Sequence, residues 1–341
     1  MDIKLMTQAD GNSLSNLVLP PNNEIIVDDL GRPSVMVKIP KFTYADVGLS
    51  GSGVHPAFKV NGQEVPYIYI SKYQNIVEDG RAYSLPYQRP KHTINFDQAK
   101  AACEAKGEGW HLMTNAEWAA IALWCKKNDC MPYGNNNYSY GDYYNTSEKG
   151  APMPEYNEDY GENIPYTATG SGPKSWFHNN DFSGIADLNG NVYEWVGGVR
   201  VKNGELQVIQ DNNSAMGVDE SAESTLWKAI NQSGAYVDPG TSGTIKYGSA
   251  GITTSGTFKG ATAASGVTIP PLVKALALFP NDAADTYRDD YYYVSTSGEC
   301  LFYRGGDYSG SVDAGVFCCD GNYPRSYANV FLGFRSAFVK L

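Results

Sequence analysis

Two cysteines stand side by side at Cys318 and Cys319, inside the stretch AGVFCCDGNYPRSYANVFLGFR that runs from Ala314 to Arg335. A thiol pair can cycle through a disulfide, bind a metal or act as a nucleophile. The local sequence argues against each. Neighbouring side chains on a strand point to opposite faces, so the two thiols diverge. A vicinal disulfide carries strain. No His or Lys stands beside the pair to depress a thiol pKa. Of the other cysteines, Cys103, Cys125, Cys130 and Cys300, the middle two frame KKND, which is no zinc spacing. The histidines, His55, His92, His111 and His178, form no pair at ligand spacing. Six free thiols are therefore expected, in a long chain whose start carries no export signal.

The second chemical candidates are charged. Arg304 and Arg335 sit amid apolar strand residues, and a guanidinium in such a place needs a buried carboxylate or carbonyl partner. Glu117 and Glu194 are the candidate carboxylates.

The elements that must position these groups are legible in part. EIIVDDLGRPSVMVKI reads as two strands around a Gly-Arg-Pro turn. FKVNGQEVPYIYISKY reads as a hairpin, with Asn61-Gly62 supplying the positive φ angles of a type I′ turn. Two helices follow. Asn95 and Gln98 form a capping box for the first, and Gly107 can end it; Thr114 and Glu117 form a capping box for the second. Trp118, Ile121, Ala122 and Cys125 recur at helical spacing and should face the core. Residues 131–180 are turn-rich. Asn203-Gly204 marks another hairpin, with Val199 and Val201 opposed to Leu206 and Val208. Residues 210–299 are less patterned, hold one short helix in PPLVKALALF, and read as an insertion. CLFYRGG, AGVFCC and LGFRSAFV read as closing strands.

A length of 341 residues gives one large domain or two ordinary ones. A net charge of −11 repels phosphate backbones, so nucleic acid is not an expected partner. No run approaches membrane-span length, and MDIKLMTQADGNSL has no secretory pattern, so the expectation is synthesis in the cytoplasm without membrane insertion. The tail from Leu301 to Val339 contains no Lys, Glu, Gln, Met or Trp. At their frequency in the rest of the chain, roughly seven would be expected.

Three pieces occur in order: HLMTNAEWAAIA, then GIADLNGNVYEWV, then the bracket from YRGGDYS to LGFRSAFV. This order resembles the formylglycine-generating-enzyme branch of the C-type lectin fold. The resemblance covers roughly residues 55–200 and 300–341. It implies an α+β, C-type lectin-like fold at 41–341, with an insertion at about 199–299 before the C-terminal strands. Residues 1–40 would be an N-terminal attachment segment. Enzyme members of the branch use redox cysteines several residues apart in the tail; here Cys318 and Cys319 are adjacent. Those members also bind calcium around the segment matching Asn189, Gly190, Val192 and Glu194, so the resemblance implies a structural calcium there, with pairing of Glu194 to an arginine as the alternative. No other cofactor is called for.

The tail is also similar to the variable region of proteins diversified by retroelements, which include phage tropism determinants. In that family, template adenines in AAC or AAT codons are randomised. Such codons cannot encode Lys, Glu, Gln, Met or Trp, the set missing here. The framework Arg-Gly-Gly, Ala-Gly-Val-Phe, Arg-Ser and Gly-Phe-Arg-Ser matches as well, setting a variable region at about 304–335. The resemblance implies that Asp307, Tyr308, Ser309, Ser311, Asp313, Cys318, Cys319, Asp320, Tyr323, Tyr327 and Phe331 are diversified ligand contacts, with Asn322 and Asn329 as unaltered template positions. The function it implies is binding of a protein or glycan receptor on a host or target cell, as a virion-associated phage or prophage protein. A formylglycine-generating-type oxidase and a bacterial surface-binding protein are the alternatives. Tyrosines supply broad contact area at low entropic cost, and three Asp beside three structural Arg leave a mildly acidic patch.

Overall fold

The computed structural model describes residues 19–340. A five-stranded sheet opens on the antiparallel pair Asn23–Val27 and Pro33–Pro40, continues through Tyr67–Ser71 and Ser336–Phe338, and ends on Trp110–Leu112. The last strand of the chain thus lies between two early ones, which ties the tail to the first half of the fold. Of the expected attachment segment, residues 1–18 lie outside the described residues; residues 23–40 are part of this sheet rather than separate from the domain.

The second sheet is larger. Its order is Tyr236–Val237, Trp227–Ile230, Glu205–Ile209, Tyr193–Lys202, Glu299–Arg304, Cys319–Tyr323, Tyr291–Val294 and Ser255–Thr257; Leu332–Phe334 pairs in parallel with Tyr193–Lys202. The expected insertion is therefore built into the sheet, widening it at both sides. AGVFCC is not a strand throughout: Ala314–Phe317 turns, and the strand begins at Cys319.

The local signals hold where they are local. The helices Phe96–Glu104 and Asn115–Lys127 each carry both hydrogen bonds of a capping box, at Asn95 with Gln98 and at Thr114 with Glu117. Asn61 and Gly62 have φ of 52° and 72°, as a type I′ turn needs. Val199 faces Val208, and Val201 faces Leu206. Trp118, Ile121, Ala122 and Cys125 are buried in the main core between the sheets, joined by Phe302, Val316, Phe317 and Cys319. The Trp118 indole donates to the Val316 carbonyl at 2.8 Å, fixing the turn that precedes the cysteines. No helix among the described residues is long and apolar enough to cross a membrane.

Candidate functional site

The tail is framed by two buried arginines. Arg335 pairs with Glu194, Nε to Oε2 at 2.5 Å and Nη2 to Oε1 at 2.6 Å, and donates to the Ser71 and Ala186 carbonyls. This is the carboxylate partner expected for one of the two arginines. Arg304 differs: Nε and Nη2 bond Asn115 Oδ1 at 3.1 and 2.6 Å, and Nη2 reaches the Ala277 carbonyl at 3.1 Å. Glu117 is not its partner. That carboxylate takes the Thr114 N–H, His111 Nε2 and Asn212 Nδ2 instead. Glycines complete the frame. A Cβ on Gly315 would lie 2.1 Å from Asp290 Oδ1, and one on Gly306 would lie 2.3 Å from Ala314 Cβ.

Between the frame residues, the expected contact positions separate into two groups. Asp307, Tyr308, Cys318, Cys319 and Asp320 are buried. Ser309 and Ser311 are half-buried, and Asp313 is exposed. The expectation that Cys318 and Cys319 sit on a display surface is corrected: both are 0% exposed. The inserted region's strand Tyr291–Val294 runs parallel to Cys319–Tyr323, with Tyr292 opposite Cys319, so the tail strand is no free edge, and its thiols are covered from the two faces. The two side chains do diverge. Cys318 Sγ lies 3.7 Å from the Tyr193 hydroxyl, while Cys319 packs into the main core. Burial pushes both thiols up; Cys319 reaches about 11 despite the nearby Arg304 guanidinium, and Asp290 and Asp320 push Cys318 further. All six cysteines are free.

The carboxyls here are equally desolvated. Asp290 is fully buried and rises to about 8; one oxygen accepts the Phe317 N–H at 2.7 Å and the other has no protein partner. Asp320 rises to about 7 through burial. Asp307 is also raised by burial, with one oxygen accepting from the Ser309 N–H and hydroxyl.

The second group is Asn322, Tyr323, Tyr327, Asn329 and Phe331, all half-buried, with Pro324, Ser326 and Ala328 exposed between them. Tyr303, Tyr323 and Tyr327 stack in near-parallel planes, at centroid distances of 5.7 and then 3.6 Å, and Phe331 follows at 6.2 Å. The backbone beneath them is held by groups outside residues 304–335. Carbonyls of Arg325, Asn329 and Phe331 accept the N–H groups of Phe96, Thr93 and Tyr193. The Val330 carbonyl accepts the Tyr166 hydroxyl at 2.6 Å. Arg325 is clamped by Glu299 and Asp97.

Sequence reasoning missed two exposed tyrosines that touch the tail, one at each group. Tyr160, on the loop between strands Glu155–Asn157 and Glu162–Ile164, is 54% exposed and its hydroxyl lies 3.4 Å from Asn329 Oδ1. Tyr138 is 61% exposed, meets Tyr308 edge-on at 6.2 Å, and its N–H donates to the Tyr308 carbonyl. The tyrosine-rich run from residue 138 to 166 was the available signal. A cavity of about 830 Å³, lined by Tyr133, Glu148, Lys174 and Arg288 among others, includes no residue of the tail.

The segment expected to hold calcium has its acceptors engaged by protein donors. Gly190 and Val192 carbonyls and Glu194 Oε1 all face the Gln74 amide nitrogen, and both Glu194 oxygens meet Arg335. A hard dication needs oxygen ligands with unneutralised negative charge, and this donor set does not fit one. Among the described residues no group of three or more His, Cys, Asp or Glu is placed to hold a metal ion.

Residues 22–244 match the family described as FGE-sulfatase, the sulfatase-modifying factor enzyme 1-like domain. No curated protein matches the chain in sequence. Among solved structures, PvdO from Pseudomonas aeruginosa is 15% identical with a TM-score of 0.39, over 94% of this chain and 99% of that one. Treponema denticola variable protein 1 is 14% identical with a TM-score of 0.35, over 94% and 99%. The U1 variant of Major Tropism Determinant is 10% identical with a TM-score of 0.32, over 94% and 73%.

Proposed function

We propose that this chain, which belongs to the FGE-sulfatase family, is a ligand-binding protein whose contact surface is the aromatic half of its tail. Tyr323, Tyr327, Asn329 and Phe331 form the variable floor, and Tyr138 and Tyr160 form a fixed rim. One observation carries the reading. The backbone from Arg325 to Phe331 is held by Phe96, Thr93, Tyr166 and Tyr193, so its side chains can change without loss of the fold. A site meant to vary needs that separation. The partner is a protein or glycan receptor on a host or target cell. The chain serves as a phage or prophage tropism protein diversified by a retroelement.

An oxidase of the formylglycine-generating type needs an accessible thiolate. Here burial raises both adjacent thiols, and the partner of Cys318 is the Tyr193 hydroxyl rather than a base, which favours the binding role. The DNA tests the diversification. A near-repeat of the tail's coding sequence, differing at adenines and lying near a reverse transcriptase gene, is expected; absence of both removes the proposal's genetic basis. An oxygen-consumption assay on a Cys-containing sulfatase peptide tests the enzyme. Turnover lost in Cys318→Ser or Cys319→Ser would overturn the binding role.

A further inference from the structure

Gln74 lies just past the strand Tyr67–Ser71 and is fully buried. Its amide nitrogen has four oxygens around it: the carbonyls of Asp187, Gly190 and Val192 at 3.2, 3.3 and 3.0 Å, and Glu194 Oε1 at 3.1 Å. An amide can be turned end for end, which would place its oxygen against those four acceptors. The neighbouring Asn191 decides the orientation. The Thr167 backbone N–H can only donate, and it meets one end of the Asn191 amide at 2.9 Å, so that end is the oxygen. The Asn191 nitrogen then faces the Thr167 carbonyl at 3.2 Å and Gln74 at 3.0 Å. Gln74 must accept there, so its nitrogen points into the ring of oxygens.

We propose that the Gln74 amide permanently occupies the place that a calcium ion held by Gly190, Val192 and Glu194 would take, while Asn189 Oδ1 is engaged by Asn136, making this fold independent of calcium. An NH₂ group brings two positively polarised hydrogens, enough to satisfy converging acceptors through shared bonds. The one carboxylate in the set is neutralised by Arg335, whose guanidinium would also repel a dication. The substitution has a structural consequence. Glu194 holds Arg335, and Asn75, next in sequence to Gln74, accepts the Ser336 N–H. Gln74 is thus a positioning residue for the closing segment of the tail, whatever the tail binds.

Thermal melts and calorimetric titration with calcium chloride, on protein first treated with EDTA, test this. The wild-type Tm is expected to be the same in EDTA and in millimolar calcium, with no binding heat. Gln74→Ala leaves the acceptors unpaired, and its Tm should fall by about 5 °C, unrestored by calcium. Gln74→Glu sets a carboxylate oxygen against the four acceptors in place of the amide hydrogens, and should lose more stability than Gln74→Ala, in EDTA and in calcium alike. Calcium binding or a calcium-dependent Tm in the wild type would overturn the proposal. So would a Gln74→Glu protein as stable in EDTA as the wild type, because the acceptors would then not need the amide hydrogens.

Discussion

The tail reads as one continuous variable stretch, but the fold treats its two halves differently. From Asp307 to Asp320 most side chains are buried, beneath a strand supplied by the inserted region. From Asn322 to Phe331 they are half-exposed, and framework groups carry the backbone. Alternation within a restricted set of residue types looks the same in both. What separates them is a neighbour: Tyr292–Val294 pair with Cys319–Gly321 and stop short of Tyr323 and Tyr327. Packing alone predicts that added bulk should cost stability in the first half and be accepted in the second.

The strongest way to break this contrast is to place bulk in each half. Cys319→Tyr must fit a ring into a fully buried site and should cost about 3 kcal/mol or more. Gly315→Ala drives a methyl into the Asp290 carboxyl and should cost about 2 kcal/mol. Asn322→Tyr, on the half-exposed side, should change stability by less than about 1 kcal/mol. Urea melts of the three proteins decide it. Equal losses would mean that both halves are core.

The halves should also differ in response to pH. Asp290 titrates at about 8 in the fold, against an ordinary value of 3.8. Its folded pKa is raised, so the stability it contributes is whole below about pH 4 and is lost as pH rises through 8. Asp320, at about 7, acts in the same direction. Each tenfold change in proton affinity between the folded and unfolded chain is worth on the order of 1.4 kcal/mol, so the free energy of unfolding is expected to drop by a few kcal/mol between about pH 5 and pH 9. Asp290→Asn should flatten most of that slope. An unchanged slope in the variant would remove Asp290 as its source.

How much of this was written in the sequence depends on distance along the chain. The capping boxes at Asn95 and Thr114 and the Asn-Gly turns involve residues three or fewer apart, and all were legible. The Arg335–Glu194 pair was legible because a buried arginine demands a partner and few carboxylates stand in apolar surroundings. Arg304 escaped because its partner, Asn115, carries no charge to mark it. Gln74 escaped for the same reason, since SKYQNIV has no pattern that points to three distant carbonyls and one carboxylate. The burial of Cys318 and Cys319 was hidden in distant contacts, with Tyr193 over one thiol and the main core around the other. A parallel neighbour from residues 291–294 leaves no local trace in AGVFCC.

Smaller effects sharpen the second half. Tyr323 and Tyr327 stack on buried Tyr303 and pack against the cluster of Trp195, Leu301 and Phe334. Replacing both with Ala should cost about 1–2 kcal/mol, less than Cys319→Tyr, because both rings are half-exposed. Retention of labelled protein on a panel of bacterial cell surfaces should be lost in this variant. Retention at the wild-type level would move the contact surface elsewhere.

The smallest expected change in stability is at the rim. The Tyr160 hydroxyl makes one long contact with Asn329 at 3.4 Å, and the side chain is largely exposed. Tyr160→Ala should therefore leave the urea midpoint within about 0.5 kcal/mol of wild type. If the rim is a fixed part of the contact surface, cell retention should fall severalfold in the same protein, since an exposed aromatic ring is a strong contributor at interfaces. Tyr156 supplies the control: it lies on the adjoining strand Glu155–Asn157, is 62% exposed, and has no contact with the tail among those described. Loss of retention in Tyr160→Ala but not in Tyr156→Ala would confine the rim to tyrosines that touch the variable half. Equal loss in both would extend the surface over the whole hairpin, and no loss in either would leave the variable floor to act alone.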